Sequence, residues 1–242
     1  MTSGRPFLVK CKAMSHELTI KPIARIQTAF ADKFGIPRQG ILASKSEAVI
    51  IFEPDYRRNG ILNGIESFTH LWLLWGFSEN DPKDWSVTVR PPKLGGAKKT
   101  GVFASRSPRR PNPIGLTAVR LIRVSNDPDL GPLLRVAGAD MVNNTPIYDI
   151  KPYLPYCDSL PDAAGGYAKD SSDLLPVSYL NDADAILSKS EKEALSQVLS
   201  NDPRPGYHYE SDRLYHIRYM QYDVAFRIIN HTVAVTDITV SK

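Results

Sequence analysis

The sequence predicts a mainly β protein, a closed or nearly closed β-barrel followed by a small α+β unit. Three observations carry this. Short segments rich in β-branched and aromatic residues recur along the chain, with turn signals between them. Many of the 19 prolines stand at those turns. Strands alternating with long helices, the mark of a Rossmann-type sheet, are absent.

In chain order, strands are expected at 20–27, 48–52, 70–77, 85–90, 101–105, 116–124, 133–140 and 147–150. Breakers part them: Pro54-Asp55, Asn59-Gly60, Asn80-Asp81-Pro82, Gly95-Gly96, Pro111-Asn112-Pro113, Asp127-Pro128 and Asn143-Asn144. Many short strands at this spacing suit a barrel. The expected division is an extension over 1–17, the barrel over 18–160, a linker over 161–185 and the α+β unit over 186–242. Residues 1–13 carry no strong pattern, and Met14 is an alternative start. The linker reading rests on Gly165-Gly166, Ser171-Ser172-Asp173 and Pro176. Ser190-Glu191-Lys192-Glu193 reads as a capping box. Ala194, Leu195, Val198 and Leu199 then share one face of a short helix, which Asp202-Pro203-Arg204-Pro205 stops. Beyond it Tyr215, Ile217 and Tyr219, then Val224, Phe226 and Ile228, then Val233 and Val235 alternate as in two or three strands.

Composition bounds the function. The 242 residues are 42% hydrophobic and 23% charged, enough for a sizeable core and unlike a disordered chain. No apolar run approaches the ~18 residues of a membrane helix. No apolar stretch of signal-peptide type opens the chain. Cys11 and Cys157 form neither a metal pair nor a disulfide framework, so reduced thiols in a cytosolic protein are the simplest reading. The net charge of +4 is mild, but it is unevenly spread. Arg90, Lys93, Lys98, Lys99, Arg106, Arg109, Arg110, Arg120 and Arg123 follow one another with no acidic residue between them, which is compatible with nucleic acid.

Five motifs can carry chemistry. Residues 104–116, Ala-Ser-Arg-Ser-Pro-Arg-Arg-Pro-Asn-Pro-Ile-Gly-Leu, make a rigid loop whose Arg106 and Arg110 suit a carboxylate or phosphate. Its alternative is a well-made turn with surface arginines. Asp149 lies in the apolar run Ile147-Tyr148-Asp149-Ile150, where a carboxylate needs a partner; Lys151 is the bland choice. Pro37-Arg38-Gln39 is weak alone. His70 opens an apolar strand, where a histidine is more often structural. Asp202-Pro203-Arg204-Pro205-Gly206-Tyr207 is a helix stop or a ligand contact. There is no G-x-G-x-x-G, P-loop or G-x-S-x-G, and the five histidines show no metal-type spacing with the cysteines.

Together these motifs resemble the TsaA-like family, whose bacterial members are called TrmO. The resemblance rests on Pro37-Arg38-Gln39, Phe68-Thr69-His70-Leu71-Trp72, Arg90-Pro91-Pro92-Lys93-Leu94-Gly95-Gly96, Gly101-Val102-Phe103-Ala104-Ser105-Arg106, Arg110-Pro111-Asn112-Pro113-Ile114-Gly115-Leu116 and Thr145-Pro146-Ile147-Tyr148-Asp149-Ile150-Lys151-Pro152-Tyr153. The Asp202 to Tyr207 motif resembles that of the family's second domain. The resemblance implies a TsaA-like β-barrel that binds S-adenosylmethionine without a Rossmann sheet. It implies a homodimer with the cofactor near the subunit interface. It also implies methyl transfer to N6 of N6-threonylcarbamoyladenosine at tRNA position 37.

Carried over by position, the cofactor contacts are Pro37, Arg38, Gln39, His70, Arg106, Leu116 and the loop Asn143, Asn144, Thr145 and Pro146. Where the family usually has Asp-Gly before Thr-Pro, this chain has Asn143-Asn144. Asn also tolerates positive φ, so the turn is expected to survive without the carboxylate. Lys98, Lys99, Arg109, Arg110 and Arg204 are expected on tRNA phosphates, and Tyr207, Tyr209 and Tyr148 are candidates for stacking on the base. Asp149 and Asp202 are the two candidate proton acceptors. Two rivals remain at this point: a non-catalytic module that binds S-adenosylmethionine, and an RNA-binding barrel of the OB type. A hydrolase lacks any nucleophile–base pair.

Overall fold

The computed structural model describes residues 17–81, 83–95, 98–168, 174–204 and 213–241. Its strands are β1 (Ala24–Gln27), β2 (Glu47–Phe52), β3 (His70–Gly76), β4 (Thr88–Val89), β5 (Thr100–Gly101), β6 (Ile114–Asp127), β7 (Gly131–Ala137) and β8 (Thr145–Pro152). Helix α1 (Pro155–Asp158), β9 (Val177–Tyr179), α2 (Lys189–Ser200), β10 (Tyr215–Tyr219), β11 (Tyr222–Ile229) and β12 (Thr232–Val240) follow. Six strands close a barrel in the order β1-β2-β7-β6-β3-β8, and every neighbouring pair is antiparallel. The predicted fold class is the observed one.

Alternation fills the barrel. Ala48, Ile50 and Phe52 of β2 point inward, as do Leu71, Leu73 and Trp75 of β3. They meet Ile26, Val119, Leu134, Val136 and Ile147 in one apolar core. Gly115 lies flat against the Trp75 indole, where a Cβ would approach the ring to 2.2 Å, so glycine is required there.

The strands expected at 85–90 and 101–105 fall short. Only Thr88–Val89 and Thr100–Gly101 pair, apart from the barrel, and Val102–Ala104 is a 3-10 turn. Pro91 and Pro92 have no N–H for a ladder, and the Ser105 hydroxyl donates to the Val102 carbonyl, which curls the chain instead. By contrast β6 runs longer than expected, to Asp127. That carboxylate accepts the Asp129 and Leu130 amides and turns the chain into Gly131 at φ 71°.

The C-terminal strands form a sheet of order β10-β11-β12-β9. The stretch expected to be a linker carries β9, which joins β12 in parallel. Helix α2 buries Ala194, Leu195, Val198 and Leu199 as expected. Its capping box, however, starts two residues earlier than expected: Ser188 accepts the Glu191 amide, and Glu191 accepts the Ser188 amide at 2.8 Å. Ser-x-x-Glu occurs twice at this helix start, from Ser188 and from Ser190. The second copy loses because Glu193 is drawn away to Lys45 at 2.8 Å. No helix among the described residues is long and apolar enough to cross a membrane.

The second core is not purely C-terminal. Ala29, Phe30 and Ala43, with half-buried Phe34 and Ile36, sit in it beside Tyr215, Ile217, Tyr219 and Phe226. The Phe30 ring meets Tyr219 edge-on at 5.8 Å, and the Met220 amide donates to the Ala29 carbonyl at 2.7 Å. The buried Ser46 and Tyr219 hydroxyls bond at 3.2 Å. Phe30→Ala is therefore expected to lower the unfolding free energy by about 3–5 kcal/mol in a urea titration. A loss below about 1 kcal/mol would contradict this shared core.

Candidate active site

The segment that leaves the second core delivers the first site residues. Gly35, at φ 91°, passes so close to Ile217 that a Cβ would come within 2.9 Å. Pro37 is buried, Arg38 exposed and Gln39 half-buried in extended conformation. A 3-10 turn over Gly40–Ala43 follows, closed by the Leu42 amide on the Gln39 carbonyl at 3.0 Å. Gly40 crosses the end of the barrel against Gly138, where a Cβ would stand 2.0 Å from the Gly138 carbonyl oxygen. No other residue fits without moving backbone.

The loop after β5 delivers the second group. Ser105 and Ser107 side chains accept the Ser107 and Arg109 amides, and Arg110 Nη1 donates to the Ser105 carbonyl at 3.2 Å. The loop is thus folded on itself, with Arg106 facing the first segment. Arg106 Nη1 donates to Gln39 Oε1, and Gln39 Nε2 donates to the Arg38 carbonyl.

Asp140 lies beneath this pair. Trp75 Nε1 donates to Thr117 Oγ1 at 3.0 Å, and Thr117 donates to Asp140 Oδ1 at 2.6 Å. Burial pushes the Asp140 carboxyl above the usual range. The Thr117 hydroxyl, its own and the Gly40 amide, and the Arg106 charge oppose that rise. The sequence reading missed Asp140. Its signal was an acidic residue ending an apolar strand, in Val136-Ala137-Gly138-Ala139-Asp140.

The other expected residues spread more widely. Leu116 stands next to Thr117 but points outward, 56% exposed. His70 also lies on the outer face, paired in register with Arg120, beside Tyr153 at 6.2 Å and bonded to Thr69. Thr117 pairs with Leu73, so His70 is three residues along β3, about 10 Å away. In the next loop Asn143 Oδ1 accepts the Thr28 amide at 3.1 Å, and Thr145 Oγ1 donates to the Val142 carbonyl at 2.7 Å. Asn144 adopts φ 66°, as its residue type allows, and Pro146 is buried opposite Arg25.

Lys98 and Lys99 are exposed, Arg109 reaches Asp84 at 3.4 Å, and Asp149 pairs with Lys151 at 2.8 Å. Tyr148 packs its hydroxyl against Gly76, where a Cβ would come within 2.5 Å. Arg204 grips both Asp202 oxygens at 2.8 Å. A cleft runs between Gly35, Ile36, Pro37 and Arg38 on one side and Asn201, Asp202, Pro203 and Arg204 on the other. Tyr207 and Tyr209 lie outside the described residues.

Known proteins resemble this chain along most of its length. The family model for the tRNA-methyltransferase O N-terminal domain matches residues 25–159, and that for the TrmO C-terminal domain matches residues 172–241. A tRNA (adenine(37)-N6)-methyltransferase of Escherichia coli (strain K12) is 37% identical over 216 residues, 85% of this chain and 91% of that protein. One of the same name from Eikenella corrodens is 40% identical over 163 residues, 67% of this chain and 92% of that protein. The crystal structure of TrmO from Pseudomonas aeruginosa superposes with a TM-score of 0.75 at 30% identity, covering 93% of this chain and 99% of that one.

The left-handed turn at Asn144 yields a direct test. Asn144→Ala is expected to cost about 1–2 kcal/mol in thermal or urea unfolding, while Asn144→Gly stays near wild type. Equal losses in both variants would contradict the backbone account.

Proposed function

The chain belongs to the tRNA-methyltransferase O family, and on that premise we propose that it transfers a methyl group from S-adenosylmethionine to N6 of adenine 37 in tRNA. The observation that carries the reading is the Arg106–Gln39 pair over Asp140 at the mouth of a glycine-crossed barrel end. The residues present fit this cofactor. The Arg106 guanidinium has five N–H donors, and those not given to Gln39 suit its carboxylate. Backbone groups of the Pro37–Gln39 segment suit its adenine edge.

S-adenosylmethionine supplies a methyl group already activated by its sulfonium. The protein's share is to hold donor and acceptor in line at near-attack distance. Gln39 orients Arg106, and Arg106 anchors the amino-acid end of the donor. The nucleophile is N6 of N6-threonylcarbamoyladenosine, in an anticodon loop where bases splay readily. As N6 bonds to the methyl carbon, the carbon–sulfur bond breaks with its electrons going to sulfur, and the N6 proton leaves. Asp149 and Asp202 remain the two candidate acceptors: Asp202 lies across the cleft from Arg38 but is held by Arg204, and Asp149 sits on the outer wall held by Lys151, so either must part from its cation to take the proton. Exposed Lys98, Lys99 and Arg109, with Arg110 and Arg204, neutralise tRNA phosphates.

The assembly is a homodimer, and it works in the cytoplasm where its tRNA is. Support for the dimer is the outward row Ile114 and Leu116 on β6, 41% and 56% exposed, beside Leu74 of β3. His70 and Leu116 on that outer face then reach the cofactor of the neighbouring subunit.

The test is methyl transfer from labelled S-adenosylmethionine to tRNA from a strain lacking this activity, read by nucleoside mass spectrometry. Methylated N6-threonylcarbamoyladenosine is expected, and Arg106→Ala should lower kcat/KM by about 10- to 100-fold, the worth of a charge-assisted hydrogen bond. Cofactor binding without transfer to any tRNA would favour a regulatory module instead.

A further inference from the structure

Asp140 lies beneath the Arg106–Gln39 pair but has been given no task of its own. Its Oδ1 accepts the Thr117 hydroxyl at 2.6 Å, and the Gly40 amide lies close enough to oppose the rise of its carboxyl. Thr117 is itself 6% exposed and held by Trp75. An asparagine would satisfy the same two donors through its carbonyl, without burying a charge. The negative charge therefore needs another explanation than hydrogen bonding. Its link to Arg106 runs through the backbone: Gly40 crosses Gly138, two residues before Asp140, and adjoins Gln39, which accepts from Arg106, whose charge also acts on the carboxyl. Arg106 lies in an exposed loop and has a long side chain, which on binding would lose about 2 kcal/mol of rotamer freedom unless held beforehand.

We infer that Asp140 is the positioning residue of the cofactor site. Its carboxylate ties the Gly40 end of the Pro37–Gln39 loop to β6 and holds the Arg106 guanidinium against Gln39 before the cofactor arrives. This rests on the assignment of Arg106 to the cofactor carboxylate. It makes Asp140 costly for the fold and useful for the site. The folded state favours the neutral acid, because burial raises the carboxyl. A raised carboxyl adds stability at low pH that is lost as pH rises through the shifted value, so the charged form is a burden at neutral pH. A residue kept only for structure would not carry that burden.

The experiment is calorimetric titration of S-adenosylmethionine into wild type, Asp140→Asn, Arg106→Ala and the double variant, each with its melting temperature. Asp140→Asn is expected to melt at or above wild type and to bind about 10-fold more weakly, equivalent to about 1.4 kcal/mol. The double variant should bind no more weakly than Arg106→Ala, because the charge acts through that arginine. In turnover, Asp140→Asn should raise KM for the cofactor and leave kcat nearly unchanged. If Asp140→Asn binds as wild type, or if the two losses add, the inference is overturned and the methyltransferase reading stands. If wild type takes up no cofactor, or Arg106→Ala binds it as wild type, the underlying reading falls and takes this inference with it.

Discussion

The structure turns on one backbone crossing. Gly40 passes the Gly138 carbonyl so closely that a Cβ would have only 2.0 Å of room, and Gly138 itself is at φ 85°. Hydrogen at Gly40 and the left-handed backbone of Gly138 let the chain segment before β2 lie against the segment after β7. That contact closes the end of the barrel. It also sets the Gly40 amide beside Asp140 and the Gln39 side chain beside Arg106. Residues that lie 67 and 100 positions apart in sequence meet because two glycines let the backbones touch.

The same segment binds the two parts of the molecule. Before Gly40, Phe30, Phe34 and Ile36 pack in the C-terminal core. After it, Lys45 donates its amide to Gln197 at 2.8 Å, and the Leu42 carbonyl accepts Asn201 at 3.0 Å. The Pro37–Gln39 segment is therefore wedged between the barrel and helix α2, so the C-terminal unit bears directly on the residues proposed to hold the donor. The basic loop after β5, folded by its own serines, closes on the other side.

Much of this was legible in the sequence where a local rule acts. Alternation marks β2, β3 and β6 because each has one face in the core. The apolar face of α2 follows from Ala194, Leu195, Val198 and Leu199. Asn144 takes the positive φ expected of it. What depends on distant partners was not legible. The Ser-x-x-Glu pattern fits two registers, and Lys45, far away in sequence, decides between them. The strand expected at 101–105 turns into a 3-10 loop through a serine bond to its own backbone. Asp140 escaped notice because its meaning lies in Thr117, Gly40 and Arg106, which are remote in sequence. Conversely, motif resemblance grouped His70 with Leu116 and Arg106, while in the structure His70 lies on the outer face of β3, about 10 Å along the strand from the partner of Thr117.

The most direct measurement is a crystal structure of the protein with S-adenosylhomocysteine. The account predicts the product's carboxylate on the Arg106 guanidinium, with Gln39 still holding that arginine and Asp140 still bonded to Thr117. Product bound elsewhere on the barrel, with Arg106 turned to solvent, would contradict it.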